Sequence, residues 1–272
     1  MADTYDLLLR GGAVVSHRGV ETADIGVRDG RTAAIGDLTA ASAAEVVDAA
    51  GLHVLPGVID TQVHFREPGN EHKEDLEAGS RGAVLGGVTA VFEMPNTAPL
   101  TVTAEALADK LRRAKDRMWC DHAFYMGATA ENADALGELE RLPGCCGVKI
   151  FMGASTGDLL TEDDATLRRI LAAVRRRCAV HAEDEPRLQE RFALAEAAAD
   201  PAAHPDWRDT EVALRATRRL IAIARETGAR VHVLHITTAD EMRFLAEHKD
   251  IASVEATPQH LTLAAPECYA EL

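Results

Sequence analysis

The sequence predicts an α/β fold: a (β/α)8 barrel of the TIM type that lacks its last strand and follows a small N-terminal β module. Three observations predict it. After residue 56, seven short apolar segments alternate with longer amphipathic stretches, as in a parallel sheet covered by helices. Before that point, short apolar pieces are separated only by turn signals. Polar residues also cluster at the ends of the apolar segments, where barrels of this kind carry their active sites.

The first domain is predicted at residues 1–55, where Gly and Asp-Gly turns break the apolar pieces. The segment "RDGR" between "IGV" and "TAAIG" is a hairpin signal. The second predicted domain is the incomplete barrel at residues 56–272, so the 272-residue chain divides into two domains of unequal size.

The seven predicted barrel strands are, in chain order, "GVIDTQVHF", "TAVFEM", "DHAFYM", "GVKIFM", "CAVHAE", "RVHVLHI" and "IASVEAT". Helical patterns lie between them, including "TEDDATLRRILAAVRRR", where Thr161 and Asp164 predict a capping box. Gly228 is a C-cap signal for the long helix before the sixth strand. A barrel needs eight strands, so we expect that the natural protein is longer or that another segment closes the seam.

Composition narrows the class of partner. The formal net charge is −15, which disfavours nucleic acid and membrane surfaces, although a locally basic pocket could still take a small anionic substrate. Five cysteines without CxxC spacing, and the lack of a signal-peptide pattern or a long apolar run, lead us to expect a cytoplasmic protein.

The first predicted strand carries polar residues at alternate positions. Asp60, Gln62 and His64 share one face of a regular strand, and together they look like part of a metal site with an amide in place of one imidazole. Arg66 should face the same mouth, where its guanidinium suits a carboxylate. An ion pair with Glu67 or Glu71 is the alternative for Arg66.

Three later strands carry further candidate ligands. Lys149 lies inside an apolar strand, and a buried, neutral lysine can form a carbamate that binds metal, although pairing with an acid stays open. His181 and His235 end the fifth and sixth strands, and imidazoles suit zinc. His232, three residues before His235, should pack outward. Asn96 follows the second strand, as a site residue or as a turn residue.

With these residues in place, the chain resembles the dihydroorotases of the longer bacterial type, within the amidohydrolase superfamily. The resemblance rests on "GVIDTQVHFREPG", "GGVTAVFEMPNT", "GVKIFMGAST", "HAEDE", "RVHVLHITTA" and "EATPQHLTL", in that order. It implies a barrel plus a small β-sandwich built from both chain ends, so residues 1–55 would form a partial β-sandwich module.

The resemblance also implies a site with one or two zinc ions. His64, Lys149 (carboxylated), His181 and His235 match the implied metal ligands, and Gln62 departs from them. The implied general base is an aspartate on the eighth strand, a position this sequence lacks, so the catalytic residue stays unknown. Arg66 and Asn96 would bind the substrate carboxylate.

Three functions follow from these expectations. The first is reversible hydrolysis of dihydroorotate to N-carbamoyl-aspartate in pyrimidine biosynthesis, by a homo-oligomer. The second is a cyclic amidase of the hydantoinase or allantoinase type, whose neutral rings need no carboxylate clamp. The third is a non-catalytic scaffold for aspartate transcarbamoylase, which Gln62 favours and Lys149 disfavours.

Overall fold

The computed structural model describes residues 3–154, 159–198 and 200–270. The chain forms two compact units, Met1–Val58 and Ile59–Leu272. Ser155 and Thr156, the last residues of the motif "GVKIFMGAST", lie outside the described residues.

The first unit is a mixed five-stranded sheet. Its strands are β1 (Thr4–Ser16), β2 (Gly19–Arg28), β3 (Arg31–Gly36), β4 (Ser42–Asp48) and β5 (His53–Val54), in the order β3-β2-β1-β4 with β5 also paired to β1. The predicted hairpin joins β2 and β3. Asp29 and Gly30 both have positive φ angles, 51° and 68°, which matches the twist that a two-residue hairpin turn requires.

The second unit contains all seven predicted strands in one sheet. They are β6 (Val58–Val63), β7 (Val88–Glu93), β8 (Asp121–Gly127), β9 (Cys145–Phe151), β10 (Cys178–His181), β11 (Val231–Val233) and β12 (Ala252–Val254), in sequential order across the sheet. The pairs from β7 to β12 are parallel. Thr61 Oγ1 on β6 lies 3.3 Å from Glu255 Oε2 just after β12, so the sheet curves until its edge strands approach each other. This is the predicted partial barrel.

Helices cover the outer face of this sheet. They are α1 (Leu76–Leu85), α2 (Ala104–Ala114), α3 (Leu136–Leu139), α4 (Asp164–Ala173), α5 (Glu185–Ala197), α6 (His204–Trp207), α7 (Thr210–Thr227), α8 (Ala239–Ala246) and α9 (Pro258–Thr262). Within the described ranges, none of them is long and apolar enough to cross a membrane.

The helix-end predictions had different outcomes. Gly228 ends α7 with φ 71°, as predicted. The predicted capping box at Thr161 is wrong: Asp163 caps α4 by accepting from the Thr166 amide, because Thr161 still pairs with the strand end, its amide donating to Phe151 O at 2.7 Å.

Strand alternation divides the apolar residues of the second unit between two cores. A large outer core packs strand residues such as Val91, Phe124 and Val180 against the helices. A small inner core joins residues of neighbouring strands: Met94, Tyr125, Ala179 and Leu234. The candidate site residues described next lie on the inner side of the sheet, at the carboxyl ends of the strands.

Candidate active site

Lys149 is buried on β9, as the sequence predicts. Its side chain is 1% exposed, and Nζ donates to Ile150 O at 3.1 Å and lies 3.9 Å from the ring centroid of Phe151. Among the described residues Lys149 forms no ion pair, and the nearby carboxylate of Glu255 acts on it only through its charge, which raises the pKa less than burial lowers it. Burial lowers the pKa of Lys149 well below its ordinary value of 10.5, which favours the neutral, nucleophilic amine.

His181 and His235 come together from the ends of β10 and β11. His181 Nδ1 lies 3.1 Å from His235 Nε2. Burial lowers the pKa of both imidazoles, that of His235 to about 3, so both are neutral at pH 7. Two nitrogen ligands of a tetrahedral zinc ion stand roughly 3.3 Å apart, so this pair has the spacing of two ligands on one ion.

The carboxylate of Glu183 orients His181 by contacting the ring nitrogen that does not face His235. Glu183 Oε2 lies 2.7 Å from His181 Nε2, and Arg208 Nη1 binds the same carboxylate oxygen. Burial alone would raise the pKa of Glu183, but the hydrogen bond to His181 and the charge of Arg208 outweigh it and lower the pKa. An ionised Glu183 holds the proton on Nε2 and leaves the Nδ1 lone pair facing His235, which is the outer-shell arrangement of zinc-binding histidines.

These residues fit zinc only as a set that includes a modified lysine. The described parts of the chain contain no group of three or more His, Cys, Asp or Glu residues that could hold a metal ion. Lys149 lies close enough to His181 and His235 for its charge to lower the pKa of each. A carbamate on Lys149 would therefore supply the oxygen ligand that completes a three-ligand site.

The first barrel strand leads to His64, which lies beside Asn96 and Arg66. The side chain of His64 is hydrogen-bonded to Asn96, and burial together with the charges of Arg66 and Lys149 lowers its pKa to about 4. Asp60 is exposed and accepts from the backbone N–H of Gln62 at 2.9 Å, which is a local contact within β6.

Arg66 is turned toward His64 by a left-handed backbone conformation, φ 61°. Its positive charge acts to lower the pKa of both His64 and the buried Glu93. The alternative ion pairs do not form: Glu67 and Glu71 instead pair with arginines of α2 and the segment after it. Arg66 is thus an available cation beside His64 and Asn96, as expected for a group that binds a substrate anion.

A second buried lysine supports the turn that carries Asn96. Lys110 on α2 forms an ion pair with Glu93 at the end of β7, and both side chains are 1% exposed. Lys110 Nζ also donates to Met94 O at 2.9 Å. Burial raises the pKa of Glu93 and lowers that of Lys110, while their mutual attraction opposes both shifts.

The sequence analysis missed Glu255 and misplaced His232. His232 does not pack outward: it lies between Val231 and Val233, which belong to the outer core, and its Nε2 is 3.1 Å from Glu255 Oε2. The regular strand ends at Val233, and the turn at His235 brings both histidines to Glu255. The only sequence signal was an acid at the end of the last apolar segment.

The fold agrees with the comparisons to known proteins. Residues 53–269 match the model of the amidohydrolase family, and the chain belongs to that family. The chain is 34% identical over 269 residues to an allantoinase from Deinococcus radiodurans, covering 95% of this chain and 60% of that protein. It is 38% identical over 225 residues to a dihydroorotase from Halobacterium salinarum, covering 80% of this chain and 51% of that protein.

A solved structure extends the likeness to three dimensions. The L-hydantoinase (dihydropyrimidinase) from Arthrobacter aurescens superimposes with a TM-score of 0.88 at 30% identity, over 97% of this chain and 61% of that one. The chain therefore spans about three fifths of the length of the allantoinase and hydantoinase it resembles. The expected resemblance to dihydroorotases is one of several, because proteins named allantoinase and hydantoinase match as well or over more of the chain.

Proposed function

We propose that this protein opens the ring of a small cyclic amide by zinc-dependent hydrolysis. One observation carries the proposal: the neutral nitrogens of His181 and His235 face each other at 3.1 Å, beside a buried lysine that has no acid partner among the described residues. The names of the relatives, allantoinase, hydantoinase and dihydroorotase, support the same class of substrate.

Zinc bound by His181, His235 and the Lys149 carbamate would polarise the ring carbonyl and lower the pKa of bound water. The chain's own groups prepare the ligands. Burial keeps the Lys149 amine neutral, so its nitrogen attacks carbon dioxide, forms an N–C bond and loses one proton to solvent. Glu183 holds the His181 proton on Nε2. We assign no general base, because the resemblance assigns that role to an aspartate on an eighth strand.

Two classes of substrate, neutral rings and the anionic ring of dihydroorotate, are supported by different observations. Neutral rings such as allantoin and hydantoin are favoured by the names of several similar proteins. Dihydroorotate is favoured by Arg66, whose charge lies beside His64 and Asn96 without an ion pair in the described ranges. Asn96 is less specific, because its side chain already hydrogen-bonds His64.

The test is ring opening by protein loaded with zinc and bicarbonate, measured on dihydroorotate, allantoin, hydantoin and dihydrouracil. Arg66→Met should raise KM for dihydroorotate at least tenfold and leave KM for a neutral ring unchanged, because only the anion needs the guanidinium. An unchanged KM for dihydroorotate would remove Arg66 from the substrate site.

The scaffold interpretation makes a different forecast. It predicts that no ring in the panel is opened even when zinc is bound, and that aspartate transcarbamoylase co-purifies with the chain. The burial of Lys149 disfavours the scaffold interpretation, because a scaffold does not need an amine without an ion pair inside an apolar strand, where it lowers stability.

A further inference from the structure

Glu255 connects three segments around the candidate zinc site. It follows β12, and its Oε1 accepts a hydrogen bond from the His235 amide at 3.3 Å. Its Oε2 lies 3.1 Å from His232 Nε2 on β11 and 3.3 Å from Thr61 Oγ1 on β6. A single carboxylate thus joins the two edge strands of the sheet to the backbone of a candidate ligand.

The backbone that Glu255 holds is unusual. His235 has φ 38°, a left-handed conformation that a residue with a side chain adopts only when its surroundings enforce it. This conformation directs the imidazole so that Nε2 stands 3.1 Å from His181 Nδ1. Because the Glu255 carboxylate accepts from the His235 amide itself, it acts on the turn rather than on the ring.

Glu255 is poorly placed to act as a general base. Oε1 receives the His235 amide, and Oε2 is shared by His232 and Thr61. His232 is fixed in turn, since its Nδ1 lies 2.8 Å from Ser253 Oγ. A carboxylate with both oxygens engaged, and with its main partner locked from the other side, orients its neighbours rather than accepting a proton from water.

We propose that Glu255 is a positioning residue: it holds the His235 turn in the left-handed conformation that presents Nε2 to the metal opposite His181. The zinc part of this inference rests on the proposed function, whereas the backbone part does not. His232 and Thr61 aim the carboxylate, so the position of His235 depends on both edges of the sheet.

The test compares Glu255→Ala and Glu255→Gln with Glu140→Ala in the whole chain. Glu140 is a matched control, because it is 1% exposed and its carboxylate also accepts from backbone amides, those of Arg175 and Arg176, which precede β10 at the end of the strand opposite His181. Two quantities are measured: zinc affinity by chelator competition, and hydrogen exchange of the His235 amide in zinc-free protein.

Glu255→Ala should weaken zinc binding roughly ten- to a hundredfold, as expected for loss of a group that orients a ligand, and should speed exchange at His235. Glu255→Gln should restore most of both, since its amide oxygen can still accept from the His235 amide. Glu140→Ala should lower stability but leave both quantities unchanged.

The outcomes separate the two proposals. If the wild-type chain binds no zinc but Glu255→Ala still speeds exchange at His235, the proposed function fails and the positioning role stands. If Glu255→Ala leaves exchange and zinc affinity at wild-type values, the positioning role is refuted whether or not the ring hydrolysis is found. An equal loss of zinc affinity in Glu140→Ala would also refute it, by showing a general effect of lost stability.

Discussion

Replacing Lys149 with methionine should stabilise the zinc-free protein, although it removes a proposed metal ligand. Methionine has a similar length and no charge, so the strand interior is kept filled. What disappears is a buried amine whose only hydrogen bond is to Ile150 O, at 3.1 Å, among the described residues.

The size of the effect can be bounded. Keeping the amine neutral at pH 7 costs at most its deprotonation from the ordinary pKa of 10.5, which over 3.5 pH units is about 5 kcal/mol. Loss of the hydrogen bond to Ile150 O reduces this gain in stability by about 1 kcal/mol. We therefore expect Lys149→Met to raise the free energy of unfolding by about 1–4 kcal/mol at pH 7.

The effect should depend on pH in a fixed direction. The pKa of Lys149 is lowered in the folded protein, so between that value and 10.5 the unfolded chain binds more protons. Wild-type stability then rises with pH relative to the variant. The advantage of Lys149→Met should shrink as the pH is raised from 7 toward 10.5.

The assay is urea unfolding of chelator-treated protein in bicarbonate-free buffer at pH 7 and pH 9.5. Lys110→Met is the matched control: it is equally buried, but it would leave Glu93 without its partner and should destabilise the protein by about 3 kcal/mol. A Lys149→Met protein that is less stable than wild type at pH 7, or a difference that does not change with pH, would refute the reasoning.

Three further predictions concern the same strand ends. Lowering the pH from 7 to 5 should destabilise the zinc-free protein by roughly 2 kcal/mol for each of His64 and His235, because their folded pKa values of about 4 and 3 lie below the unfolded value of 6.5. Urea unfolding of His64→Gln should show a smaller loss of stability over the same pH range. An equal loss in this variant would contradict the prediction. Gly153→Ala should weaken zinc binding in chelator competition, since its Cβ would stand 2.7 Å from Glu183 Cβ, whereas Gly82→Ala on α1, with open space around it, should not. Elemental analysis should find about one zinc per chain, and a value near two would show that Gln62 is tolerated in a second site.

The features predicted best from the sequence are the positions of the regular strands and the faces on which their residues lie. The seven apolar segments all became strands, because each is long enough to pair on both sides or at one edge and is bounded by polar or glycine residues. Lys149 and His181 were placed correctly because both belong to strands as the structure defines them. Their faces follow from simple alternation.

The residues that were missed lie where the strands stop. β11 ends at Val233, so alternation no longer applies at His235, and His232 was wrongly turned outward. Glu255 follows β12 by one residue, and its importance comes from contacts with Thr61 and His232, 194 and 23 positions away in sequence. Nothing in the local pattern marks an acid as the partner of such distant groups.

The two sides of the site divide the chemistry between them. His181, His235 and Lys149 combine neutral nitrogens, an orienting carboxylate and an unprotonated amine, which are the features expected of the proposed metal site. His64 instead hydrogen-bonds Asn96 beside the cationic Arg66, which suits contact with a polar ring. The amide of Gln62 then affects only the β6 side of the site, whose residues are the weaker candidates for metal ligands. We therefore propose that β6 mainly contacts the substrate, and that a metal ion would be held by residues on or just after β9, β10 and β11.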